Sequence, residues 1–70
     1  MTVIIIEEEW HGIIAICANM RSAFKYLIEK RWLEVKDTPQ EIDKLMAEYE
    51  KDKDFLDGRF YFNEVTVYNK

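Results

Sequence analysis

The sequence predicts an α+β fold of order β-β-α-α-β, a three-stranded, mainly antiparallel sheet with two helices packed on one face. Three observations point there. Val3–Ile6 and Ile13–Ile16 are β-branched runs flanking a polar loop that ends in His11-Gly12, which is the pattern of a hairpin. Two stretches with apolar residues three and four apart follow, as helices require. An aromatic and β-branched run, Arg59–Tyr68, closes the chain.

The first strand spans about Thr2–Glu7 and the second about Ile13–Cys17, with Gly12 free to take positive φ at the turn. Neither run alternates cleanly with polar residues. Ile4 and Ile6 take one side of the sheet and Val3 and Ile5 the other; Ile14 and Ile16 oppose Ile13 and Ala15 in the same way. Strands apolar on both sides usually have both sides covered.

Asn19 is placed to cap a first helix over about Met20–Leu33, with Met20, Ala23, Phe24, Leu27, Ile28 and Trp32 as its apolar stripe. Thr38-Pro39-Gln40-Glu41 reads as a reciprocal capping box with proline at the first helical position. The second helix then runs from Pro39 to about Lys51, with Ile42, Leu45, Met46 and Tyr49 inward. Phe55 and Leu56 extend it or form a separate anchor, and Asp57-Gly58 is a turn before the last strand. In that strand Phe60 and Phe62 share one side, and Tyr61, Val65 and Val67 the other. The change of parity implies either a bulge at Asn63-Glu64 or two partly buried sides.

Residues 1–70 are expected to form one small domain with a marginal core. Two short helices cover one face of the sheet. The other face would carry some of Val3, Ile5, Ile13, Ala15, Val65 and Val67, or their neighbours of opposite parity, and nothing is left to cover it. An apolar face of several hundred Å2 is more than monomers usually expose, so a homodimer or larger assembly is expected.

Charge and motif content exclude several classes. Fourteen acidic side chains against ten basic give a net charge of −4, the wrong sign for non-specific nucleic-acid binding. Arg59, Phe60, Tyr61 and Phe62 superficially resemble a base-stacking strand, but Asp52, Asp54, Asp57 and Glu64 surround them. No apolar run approaches the roughly 20 residues of a membrane span. One cysteine, Cys17, cannot form an internal disulfide, and with no signal-peptide pattern the expectation is a cytoplasmic protein. Gly12 and Gly58 are isolated, so no phosphate-cradling loop is present. His11 stands alone beside Glu7, Glu8 and Glu9, without the second ligand spacing of a metal site, and reads as a turn residue. Cys17 reads as an inert thiol. No enzyme, cofactor or metal is expected.

The hairpin VIIIEEEWHGIIAIC, the helix with AFKYLIEKRWL and the closing strand FYFNEVTVYN together resemble small uncharacterised proteins encoded by phages and mobile elements of Gram-positive bacteria. That resemblance brings no established activity or catalytic residue. It implies a protein that binds and inhibits a host macromolecule, as phage inhibitors of defence systems do. The leading expectation is therefore a non-enzymatic interaction protein, an anti-CRISPR-like inhibitor of a host protein, whose acidic side chains imitate DNA phosphates on a basic groove. Its partner-binding residues are Glu7, Glu8, Glu9, Trp10, His11 and Tyr61, with Glu7–Glu9 a solvated charge run. Two alternatives are a small-ligand-binding or sequestering protein with a pocket at an oligomer seam near Trp10, His11 and the terminal aromatics, and a small nucleic-acid-binding regulator.

Overall fold

The structure, a computed structural model, describes residues 1–54, 56 and 58–68. Its elements are β1 (Thr2–Glu8), β2 (Gly12–Cys17), α1 (Met20–Glu29), α2 (Pro39–Lys51) and β3 (Phe60–Thr66). Both neighbours of β1 run antiparallel to it, giving the order β2-β1-β3, and the architecture is α+β with the helices on one face. Placing β1 centrally puts the most apolar strand where both of its edges are paired.

Register decides which side chains meet. Ile4 and Ile6 face the helices, with Phe62 opposite Ile6 on β3 and Phe60 opposite Glu8 one step further along the same face. The β1–β3 pairing is continuous from Thr2–Thr66 to Glu8–Phe60. The parity change in the last strand is therefore not a bulge: both sides carry apolar groups, Phe60 and Phe62 within, Tyr61 and Val65 without. The bulge lies in β2 instead. Ile6 pairs with Ala15 and Glu7 with Ile13, which leaves Ile14 as the extra residue. Ile14 packs against the core, and its carbonyl accepts from the Tyr26 hydroxyl of α1 at 3.2 Å. The strict alternation expected for Ile13–Ile16 is thereby broken. Ala15 and Cys17 lie on the helix side, and Ile13 and Ile16 both lie outside.

Helix α1 is capped at Asn19, whose side chain accepts from the Ser22 amide at 2.8 Å. It ends at Glu29 rather than Leu33, because the chain closes it with a Schellman turn. The Trp32 amide donates to the Leu27 carbonyl at 2.8 Å and the Arg31 amide to the Ile28 carbonyl at 3.1 Å. Arg31 sits at the left-handed position with φ 61°, where glycine is usual. Trp32 thus leaves the helical stripe but returns to the core by the turn's own hydrophobic contact.

Helix α2 has the predicted bounds. Thr38 Oγ1 accepts from the Glu41 amide at 3.3 Å, but the Thr38 amide donates to the Lys36 carbonyl at 3.0 Å. Only one arm of the capping box therefore forms. The expected Phe55 anchor and Asp57-Gly58 turn fall on residues 55 and 57, outside those described; Gly58 itself has φ 68°.

The core joins Ile4, Ile6, Phe24, Leu27, Ile42, Leu45 and Phe60, all buried. Phe24 lies at its centre, fully buried, 5.1 Å from the Phe62 ring and 6.2 Å from that of Tyr49. Replacing Phe24 by alanine should cost about 3–5 kcal/mol. That is most of the stability expected of a domain this size, so urea titration by circular dichroism should find the variant largely unfolded. Arg31→Gly should act oppositely. Relief of left-handed strain should raise the urea midpoint, by about 1 kcal/mol of stability.

Candidate interaction site

The hairpin turn is built around a carboxylate that the sequence pattern places with the solvated loop. Glu8 continues the parity of Ile4 and Ile6, and its side chain is fully buried on the helix side of the sheet. Burying a charge is costly unless it is paired and hydrogen-bonded. Four donors meet this requirement. The Trp10 amide and the His11 amide (3.1 Å) reach Oε1, as does His11 Nδ1 at 3.0 Å, while Arg59 Nε reaches Oε2 at 3.2 Å.

Burial alone pushes the Glu8 carboxyl up. The hydrogen bonds from His11, the Trp10 amide and Arg59, with the charge of His11, overcome that effect and hold its pKa at about 2. Glu8 is therefore ionised at neutral pH and only accepts. His11 Nδ1 must carry the proton in that contact.

Around the carboxylate the side chains stack. The His11 ring meets Trp32 edge-on with centroids 5.2 Å apart, Trp32 meets Phe60 at 6.1 Å, and the Arg59 guanidinium lies 5.5 Å from the Trp32 ring centre. The Glu9 amide donates to the Arg59 carbonyl at 2.8 Å, and Gly12 closes the turn at φ 74°. A turn fixed at this many points holds up Trp10, whose surface is 81% exposed.

The six residues expected at a partner surface are thus divided. Glu9 and Trp10 stand exposed at the turn. Glu7 and Tyr61 pair across β1 and β3 on the outer face, where Asn63 Nδ2 donates to Glu7 at 3.3 Å. His11 remains partly exposed but is committed to Glu8 and Trp32. Glu8 faces inward and has no surface to offer a partner, which corrects the reading of Glu7–Glu9 as a uniformly solvated run. Arg59 and Trp32 complete the network and are not among the six residues expected at the partner surface. Glu8 itself was within reach of the period-two rule. Its partner 51 positions later was not.

The outer face of the sheet is bare of helix. Ile13, Glu7 and Tyr61 form one row across it, Ile16, Ile5 and Asn63 the next, and Val3 and Val65 a third. Ile13 is 62% exposed, Ile16 65% and Tyr61 52%.

Among the described residues, two of the concavities lie elsewhere. One, of about 170 Å3, sits between the helices and is lined by Met20, Phe24, Met46 and Tyr49. The other, of about 460 Å3, lies beside the connector, lined by Arg31, Leu33, Val35 and Asp37 among others. Neither is lined by Trp10 or His11 within one copy. Among the described residues, no three His, Cys, Asp or Glu side chains are grouped to hold a metal ion, and no helix is long and apolar enough to cross a membrane. Cys17 is half-buried, and burial pushes its thiol pKa up, away from a reactive thiolate. It ends β2 at the far side from the turn, roughly 16 Å from Gly12 along the strand. The Glu8–His11 pair therefore has no thiol within reach. Phe60 is in the core and Phe62 faces the helices, so the last strand presents only Tyr61 of its three adjacent aromatics on the open face.

Comparison with family models, curated proteins and solved structures returns no match.

The folded pKa of Glu8 lies below its unfolded value of 4.5, so its contribution to stability is whole above pH 4.5 and is lost as pH falls toward about 2. Glu8→Gln should lower stability at neutral pH, since an amide cannot accept from all four donors. It should also flatten the decline between pH 4.5 and 2. Urea midpoints measured across that range test both expectations.

Proposed function

We propose that the chain is a non-enzymatic protein-interaction module whose partner-binding site is the β1–β2 turn, with Trp10 as anchor. The observation that carries this reading is a tryptophan 81% exposed on a turn whose amides are tied to a buried carboxylate. Large aromatic side chains dominate binding energy at interfaces. A turn already held in place loses little conformational freedom on binding, so more of the contact energy appears as affinity.

Glu9 beside Trp10, and the net charge of −4, favour a basic surface on the partner. The narrower reading, an inhibitor of a host macromolecule such as a defence nuclease, rests on the resemblance to small phage-type proteins together with size and acidity. An acidic group, Glu9, beside an aromatic anchor suits a groove that normally holds nucleic-acid phosphates.

Capture from a bacterial lysate, followed by affinity measurement on the purified pair, tests the reading. Trp10→Ala should weaken binding about 30-fold or more, as loss of a hot-spot residue does. A partner held equally well by Trp10→Ala overturns the assignment of the turn. A lysate yielding no protein partner at low salt overturns the function.

A further inference from the structure

We infer that a second copy of this chain covers the open face of the sheet, forming a face-to-face dimer. The face and the turn are distinct surfaces, so this inference stands independently of the role given to Trp10.

Four observations converge on it. The first is area. Ile13, Ile16, Tyr61 and Val65 are each 38–65% exposed, and together with the half-buried Val3 and Ile5 they offer on the order of 500 Å2, near the upper range for a monomer's largest apolar patch. Two such faces bury about 1,000 Å2, where specific interfaces begin.

The second is charge. No Lys or Arg lies among the paired residues of the face, and its one carboxylate, Glu7, accepts from Asn63 on the same face. Asn63 gives Glu7 only one neutral donor, but Glu7 lies in the row nearest the hairpin turn, so its charge stays hydrated at the border of the contact.

The third is layout. Ile5 occupies the middle row of the central strand, flanked by Ile16 on one side and Asn63 on the other. A two-fold axis lying across the strands at Ile5 sets Ile5 and Ile16 against the same residues of the second copy and keeps each Glu7 off the axis. Such an isologous contact closes after two copies.

The fourth concerns the alternative of joining edges. The sheet has two edge strands, β2 and β3; at that of β2 the Ile14 bulge breaks the strand, and Tyr26 already donates to the Ile14 carbonyl, which leaves only β3 as a regular edge. A bulged edge is a poor template for another strand.

A heterologous partner could cover the face only when present. A second copy is present at the chain's own concentration, and a 70-residue domain with so small a core gains most from such constant cover.

Sedimentation over about 1–100 µM, the span in which modest interfaces associate, should show a particle of twice 8.5 kDa. Ile16→Lys should raise the dissociation constant at least about tenfold, while Lys44→Glu on the helix side leaves it unchanged. Isoleucine-methyl NMR of the unaltered chain gives a second readout that does not depend on the variant folding. In the dimer the Ile13 and Ile16 methyls should be shielded from a soluble paramagnetic agent. A particle of 8.5 kDa at every concentration overturns the inference. So does a dimer whose Ile13 and Ile16 methyls stay fully accessible, or a folded Ile16→Lys that dimerises as well as the unaltered chain.

Discussion

Two short helices can roof only one face of a three-stranded sheet, and most of what is distinctive in this molecule follows from that limit. The helices take the side carrying Ile4, Ile6, Phe60 and Phe62, and among the described residues the buried apolar side chains gather there. The other side keeps nearly the same density of aliphatic groups with no cover from this chain. The central strand does not distinguish its faces by polarity. They differ only in what the rest of the sequence can reach, and α1 and α2, joined to β2 and to each other by short connectors, reach one side.

At the hairpin end the polarity inverts. A fully buried carboxylate sits where an aliphatic residue would continue the row of Ile4 and Ile6. Such a group seldom helps stability by itself, because the lost hydration offsets the gained contacts. It does fix geometry. One oxygen gathers two amides and an imidazole from the turn, and the other reaches Arg59 just before β3. The carboxylate thereby ties the hairpin turn to the last strand, and an apolar residue at the same position would leave the turn to find its own shape.

Much of the fold was legible from short-range pattern. The Asn19 cap, the Thr38-Pro39 start of α2 and the left-handed Gly12 are local features, and each appears where the sequence indicates. What was not legible depends on distant partners. Helix α1 stops early because Arg31 accepts a left-handed backbone, a position for which the usual glycine signal is missing. The bulge at Ile14 arises from register against β1, so no reading of β2 alone could choose between Ile13 and Ala15 for the outer face. At the candidate site Trp10 and Tyr61 were singled out from the sequence; the burial of Glu8 follows from the parity of Ile4 and Ile6, but its partner Arg59, 51 positions away, does not. Charge patterning treats neighbouring glutamates alike; the pleat of the strand separates them.

The two tryptophans occupy opposite settings, Trp10 in water and Trp32 against His11, Phe60 and Arg59. Their indoles therefore report separately. Emission from the first follows whatever touches the hairpin tip. Emission from the second follows the packing of the imidazole, phenyl ring and guanidinium around it. The molecule holds a built-in pair of optical probes, one for its outermost point and one for the knot beneath it, without any label.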